Sequence, residues 1–449
     1  MKTKLFLFIS LTLFGYSYAQ IGFEEQIITE NVFGPYSVFT ADINADGYMD
    51  VISADDTDHK IAWYENDGDG NFGSQQIITT NADEAKSVYA ADLDGDDNMD
   101  VLSASYGDNK IAWYANANGD GSVWIENVIT TNADGAIQVH AANIDGDDDM
   151  DVLSASENDD TIAWYENTDG LGTFDIHEIS TSQDGSRSVY TADINEDGYM
   201  DVLAASYLDG KVAWYKNIDG QGTDWEEHII STSGSAWRVT ASDLNGDGHM
   251  DVIALLDIAK IDWYENDGQG NFIVRELSTS SNGGEWVYAE DMDDDGDKDV
   301  LCANFYGDNI SWHENIDGQG TAWEEYIIQG DVDGASSVHA AYINDDGLMD
   351  VIATGRGYFK VVWFEQVILA VDENALEGFS FYPSPTTGML SIVSKTAITE
   401  IEVYNQLGQL VLSNSNQNEI DISSVSSGVY FIKIKDEHGN IGTQKVVKK

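Results

Sequence analysis

The chain has 449 residues, of which 81 are acidic and 20 basic, for a formal charge of −61. So anionic a surface excludes nucleic acid as a partner, and it makes the compact state repel itself unless cations neutralise it. The 42% hydrophobic and 11% aromatic content excludes a disordered chain, while a single cysteine, Cys302, excludes an internal disulfide, so another device must rigidify the fold.

At the N-terminus, Lys2 and Lys4 precede an apolar run from Leu5 to Phe14, and Ser17-Tyr18-Ala19 supplies small residues before Gln20. This predicts a cleavable export signal over residues 1–19, since ten apolar residues are too few to span a bilayer. No later segment approaches spanning length, so no transmembrane segment is expected in the mature protein.

From Ile61 the chain repeats itself. IAWYEN recurs as IAWYAN, IAWYEN, VAWYKN, IDWYEN, ISWHEN and VVWFEQ, with tryptophans at Trp63, Trp113, Trp164, Trp214, Trp263, Trp312 and Trp363. The spacings are 50, 51, 50, 49, 49 and 51 residues. Each copy divides into four short segments of period 2, in the second copy SVYAADL, MDVLSAS, KIAWYAN and VWIENVIT. Four strands per unit of about 50 residues is the size of one propeller blade. The fourth kind of strand also occurs seven times, beginning at Phe23, Phe72, Trp124, Phe174, Trp225, Phe272 and Trp323. One copy therefore precedes the first tryptophan motif and none follows the last. That offset predicts an all-β, seven-bladed propeller of four-stranded blades over residues 20–368, with the strand at 23–29 completing the last blade.

Between the first and second strands of each unit lies a nine-residue acidic loop of the form D-x-[DN]-x-D-G-x-x-D. The side chains at its alternate positions and its end are Asp42, Asn44, Asp46 and Asp50; Asp92, Asp94, Asp96 and Asp100; Asn143, Asp145, Asp147 and Asp151; Asp193, Asn195, Asp197 and Asp201; Asp243, Asn245, Asp247 and Asp251; Asp291, Asp293, Asp295 and Asp299; and, in the seventh, Asn344, Asp346 and Asp350. A hairpin needs one Asp-Gly, not four oxygen-bearing side chains in fixed register. Calcium, a hard cation seeking six to eight oxygens, accounts for the spacing. About six structural calcium sites are expected, with a weak seventh, because Tyr342 removes its first ligand. Asp97 and Asp148 stand where glycine is expected for the sharp turn.

These loops, with the neighbouring Phe72-Gly73, resemble the FG-GAP/VCBS repeats of integrin α-subunit propellers and many bacterial surface proteins. The resemblance covers roughly residues 21 to 368. It implies structural calcium along the rim of one propeller face.

Positions that vary among equivalent blades are the ones free for function. They fall in two sets on the face opposite the acidic loops. One, before the inner strands, carries Tyr36, Lys86, Arg187, Trp237, Arg238 and Trp286; the other, after the second strands, carries Tyr106, Tyr207 and Arg356. These nine are the candidate ligand-binding residues, and a basic, aromatic cluster suits an acidic or neutral sugar or a protein loop. Lys60, Lys110, Lys211, Lys260 and Lys360 share one slot and are expected to snorkel at the surface. Cys302 aligns with small residues, and His140 and His339 with Tyr89 and Tyr190, which predicts packing roles. No Ser-His-Asp, His-Cys metal or phosphate-loop signature is present. The expected function is a non-enzymatic surface binding or adhesion protein for a glycan or protein; the alternative is a polysaccharide lyase, with Tyr106, Tyr207 and Arg187 pressed into catalysis.

After Ile368 the repeat ends. Residues 371–449 hold 6 basic and 9 acidic residues, so 58 of the 61 net negative charges belong to the rest. A linker over 369–378 leads to a small β-sandwich over 379–449. Tyr382-Pro383-x-Pro385, Tyr404-Asn405, Gly408-Gln409, Ser427-Gly428-Val429-Tyr430 and the Lys-rich terminal strand resemble the type A C-terminal sorting domain of type IX secretion. The resemblance implies the type IX machinery as partner, passage across the outer membrane, removal of the domain and attachment at the outer surface.

Overall fold

The computed structural model describes residues 20–256, 260–279, 282–369, 380–382, 386, 388–404, 410–415, 419–426, 428–436 and 441–449. The expected export signal, most of the linker, and Pro383, Pro385, Asn405, Gly408, Gln409 and Ser427 lie outside them. The chain divides into two compact units, Phe23–Val367 and the remainder.

The larger unit is built from seven four-stranded antiparallel sheets, six of them simple meanders of consecutive strands. Blade 1 runs from Pro35–Ala41 through Asp50–Asp55 and Lys60–Tyr64 to Gln76–Thr79. Its outer strand is shorter than the sequence suggests, because Phe72 makes only an isolated bridge to Asn66 and Gly73 bonds back to the Glu65 carbonyl. Blade 7 holds Ala335–Ala341, Asp350–Gly355 and Val361–Leu369, and its fourth strand is Gln20–Thr29. The expected closure by the N-terminal strand is therefore present, three residues longer than the pattern indicated. Gln26 donates to Glu365 at 3.1 Å across this seam, and Phe23 stands edge-on to Trp312.

The second strand of every blade is buried along its whole length, which is why these segments read as continuous apolar runs. Trp63, Trp164 and Trp263 are at most 1% exposed. Each motif tryptophan packs between blades: Trp164 shares a cluster with Val189, Val202 and Tyr215 of the next sheet. A second device joins neighbours. The residue closing each third strand, Asn66, Asn116, Asn167, Asn217, Asn266, Asn315 or Gln366, donates its side-chain amide to a carbonyl in the acidic loop of the preceding blade at 2.6–3.0 Å.

Each inner strand carries a β-bulge at its second residue. Pro35 pairs with Asp55 and Ser37 with Ala54, so Tyr36 has no partner, and the same skip recurs in all seven blades. Further along, a belt of rings lines the axis: Tyr288, His339, Phe39, Tyr89, His140 and Tyr190 follow one another with centroids 4.5–5.1 Å apart. Cys302 is fully buried, as expected, and burial pushes its thiol well up. Two of the shared-slot lysines correct the snorkelling expectation. Lys60 and Lys110 are buried, with ammonium groups 3.0–3.3 Å from Asp55, Asp58, Asp108 and Glu126, because carboxylates of the same blade enclose them.

The smaller unit places a three-stranded sheet (Ser380–Tyr382, Met389–Val393, Glu419–Asp421) and a four-stranded one (Ile398–Tyr404, Leu410–Ser415, Gly428–Asp436, Ile441–Lys448) over one core of Leu390, Ile392, Ile401, Val403, Ile432 and Val446. No helix among the described residues is long and apolar enough to cross a membrane.

Candidate functional site

The acidic loops join the inner strand to the second strand, and their geometry repeats closely. In the first, Asp42 accepts from the Asp46 and Gly47 backbone N–H groups at 3.0 and 2.9 Å, and Asp46 accepts from Tyr48 at 3.0 Å. The fifth position accepts from the seventh in the same way at Asp96, Asp147, Asp197, Asp247, Asp295 and Asp346. Asx turns of this kind curl the chain so that the first, third and fifth side chains share one side. Position six is left-handed in all seven loops and position four in the first six: Ala45 has φ 57° and Gly47 φ 94°, while Asp97 and Asp148 take φ 67° and 77° at the glycine position.

The ninth residue is anchored more deeply. Asp50, Asp100, Asp151, Asp201, Asp251, Asp299 and Asp350 are buried, and each accepts two backbone N–H groups at 2.8–3.2 Å. One donor is the loop's second residue and the other is the Asn or Gln that latches to the preceding blade. Burial outweighs these bonds and pushes the carboxyl up, to about 7 in Asp50. Carboxylate oxygens of Asp92, Asp94 and Asp100 lie within 4.8 Å of one another, as do those of Asp291, Asp293 and Asp295. Where Asn stands third, as at Asn44, Asn195 and Asn245, an amide oxygen takes the place of that carboxylate. Asn143 accepts from Gly146 at 2.7 Å, and in the seventh loop Tyr342 is 48% exposed while Asn344 accepts from Asp346 and donates to Glu365.

At the other ends of the strands, the nine variable residues converge. The structure corrects their placement: Tyr36, Lys86, Arg187 and Trp237 are the bulge residues of inner strands rather than loop residues, and Arg238 and Trp286 follow bulge positions. A bulge re-aims a side chain away from the ladder, and seven arranged about one axis bring these groups together. The Arg356 guanidinium lies 4.1 Å over the Tyr36 ring and 3.3 Å from both oxygens of Glu285. Tyr36 donates to Glu285 at 3.3 Å and accepts from Arg187 at 3.4 Å. Arg187 in turn covers Trp237 at 4.1 Å and stands 3.6 Å from Glu157. Lys86 lies over Tyr36 and Tyr106 and pairs with Asp56 at 2.8 Å; Tyr207 meets Trp237 edge-on. Arg238 stacks 3.6 Å over Trp286 and donates to the Glu285 carbonyl.

The sequence reading passed over Asp56 and the bulge itself. An acidic residue in a chain with 81 of them carries no signal, and a bulge leaves the inward alternation of the following residues intact. Glu285 gives no sign in one dimension that its carboxylate joins the Arg356 guanidinium to the Tyr36 phenol while its backbone carbonyl takes the Arg238 donor.

The family described as FG-GAP-like repeat matches residues 42–103, 92–154, 143–204, 195–254 and 291–353. The secretion system C-terminal sorting domain matches residues 380–449. Among solved structures, the chain is similar to BBS1N in complex with ARL6DN, soaked with lead, at 10% identity and a TM-score of 0.53 over 78% of this chain and 98% of that one. The mercury-soaked form of the same complex aligns at 11% identity with the same TM-score and coverage. At such identities the likeness concerns the fold alone. No curated protein matches the sequence.

Proposed function

The chain belongs to the FG-GAP-like repeat family, and on that premise we propose a calcium-stabilised, non-enzymatic binding protein that holds a glycan at the axial mouth of its propeller. Its sorting domain directs export through type IX secretion to the cell surface or the extracellular space. The observation that carries the binding reading is the convergence of Tyr36, Lys86, Arg187, Trp237, Arg238, Trp286 and Arg356 from six blades into one cluster. Concave sites that combine aromatic surface with a few fixed polar groups are how proteins hold small ligands. Lyase chemistry finds less support. A base must be free to take a proton, whereas the Tyr106 hydroxyl donates to Asn158, Tyr207 rests edge-on against Trp237, and Arg187 is engaged by Glu157 and Tyr36. The test is a glycan array probed with the exported protein, followed by an absorbance assay for unsaturated product on every hit. Binding without product is expected; new unsaturated product overturns the reading.

Calcium is assigned to the acidic loops by their donors. Side-chain oxygens at positions one, three, five and nine would hold it, in the second loop those of Asp92, Asp94, Asp96 and Asp100, and the ion would supply charge neutralisation to an anionic rim. The closeness of three carboxylates in two loops supports this, since such groups repel until a cation joins them. Six sites held well above their dissociation constants are expected to raise the melting temperature by on the order of 10–20 °C. Chelation with EDTA should remove that increment and calcium should restore it. A melt indifferent to EDTA refutes the assignment.

A further inference from the structure

The cations of the axial cluster are unequally matched. Lys86 pairs with Asp56, Arg187 with Glu157, and Arg356 with Glu285, at 2.8, 3.6 and 3.3 Å. Arg238 is 6% exposed, yet no carboxylate among the described residues lies within ion-pair reach of it. It makes one hydrogen bond, from Nε to the Glu285 carbonyl, and its ring contact to Trp286 covers one face. Among the described residues its Nη1 is buried without an acceptor, as are Arg356 Nε and Trp237 Nε1. Two guanidinium donors and an indole donor thus lack acceptors in one cluster. A guanidinium taken out of water without a counter-ion is costly, and an oxyanion meets its fork with two parallel hydrogen bonds.

We propose that Arg238, with Arg356 and Trp237 beside it, receives the carboxylate of an acidic sugar at the end of an otherwise neutral glycan. The inference rests on the glycan-binding reading above and adds the charge and position of the ligand. Among the described residues of this mouth, four cations meet three carboxylates, an excess of a single positive charge in a chain of −61. A polyanion would be repelled by everything around that charge, whereas a ligand with one acidic end would be repelled least. The loops of the same face present apolar surface for the neutral remainder: Phe33, Leu208, Tyr306 and Phe359 are 49–65% exposed, and the Phe33 and Phe359 rings lie 6.0 Å apart. Sugar rings lay their C–H faces on such surfaces, which favours a glycan over an acidic peptide. Burial lowers the Arg238 pKa to about 10, still charged at neutral pH.

The experiment titrates the exported protein by calorimetry with oligosaccharides of one length ending in a uronic acid, in its carboxyl-reduced counterpart, or in a sulfated sugar, and with an acidic peptide. The uronate is expected to bind roughly 30-fold or more tighter than the reduced sugar. Arg238→Met keeps the stem over Trp286 but removes the fork. It is expected to bring uronate binding down to the level of the reduced sugar, with the melting temperature unchanged or raised, since an unpaired buried charge is removed. A purely structural Arg238 would lower the melting temperature and leave the uronate preference in place, which overturns the proposal. Equal binding of the uronate and reduced sugars overturns it while leaving the glycan reading standing; so does binding of the sulfated sugar alone. Binding of the peptide alone, or of no sugar at all, overturns both. The matched sugars decide the question on the native protein even where the variant does not fold.

Discussion

Asp50 and its six equivalents show how one side chain serves two structures at once. Each closes its own acidic loop and, through the backbone of the latching Asn or Gln, fixes the end of its own third strand. The repeat made these residues legible as a set, and oxygen spacing made calcium the natural reading, but only the fold reveals that they are also buried anchors. Glycines divide in the same way. The turn glycine at position six was predictable, and Asp97 and Asp148 adopt the left-handed conformation required of it. The left-handed fourth position was harder to see, because glycine marks it at Gly95, Gly146 and Gly246 but Ala45, Glu196 and Asp294 occupy it elsewhere. A third kind of glycine lies against a neighbouring tryptophan. Gly172 has φ 82°, and a Cβ there would sit 2.2 Å from Cζ2 of Trp113. Gly172→Ala is expected to cost roughly 3 kcal/mol or more, from the clash and the backbone strain together. Chemical denaturation measures it; a loss below about 1 kcal/mol would mean that the indole moves aside freely.

At the scale of the element, the period-2 pattern located every strand of the blades to within a few residues, and glycine-rich turns marked their ends. What it missed was the bulge in each inner strand, which is a feature of backbone pairing rather than of composition. That omission set Tyr36, Lys86, Arg187, Trp237, Arg238 and Trp286 before the inner strands when they belong to them, whereas Tyr106, Tyr207 and Arg356 do follow the second strands. The aromatic belt behind the bulges carries a pH dependence of its own. His140 faces Tyr89 and Tyr190 and shares a hydrogen bond with Thr191; His339 faces Phe39 and Tyr288, shares one with Thr40, and feels the Glu290 carboxylate. Burial lowers both imidazoles to about 4. The unfolded chain therefore takes up protons first as pH falls below about 6.5, so stability is complete above that value and drains away down to about 4. Each histidine is expected to withdraw about 3 kcal/mol by the end of that range. His140→Tyr, which copies the residue of blades 2 and 4, should show a smaller drop in melting temperature between pH 7 and pH 4.5 than its parent. Parallel curves would mean that His140 takes up its proton as readily in the fold as in the unfolded chain.

For the whole molecule, two counts of repeated strands offset by one foretold both the number of blades and the manner of closure. The axial cluster was legible only as a list of names, since nothing in one dimension states that residues 36, 187 and 356 share a hydrogen-bonded group. Removing residues 20–29 leaves Val361–Leu369 as an open edge in blade 7, and exposed edges pair with other chains. The truncated protein is expected to melt earlier and to elute as aggregates; elution and melting like the parent would show that the strand is ornamental.

That seam also orders events in time. The strand at Gln20–Thr29 leaves the ribosome early, yet its place exists only after Val361–Leu369 has followed. Until then the first-made segment is a loose end and the last-made blade lacks its border. A chain that stops short anywhere in between offers the first strand no berth, and so stays visible to proteases. The ring thereby proofreads its own length, and a finished propeller certifies that the message was read through to its seventh blade.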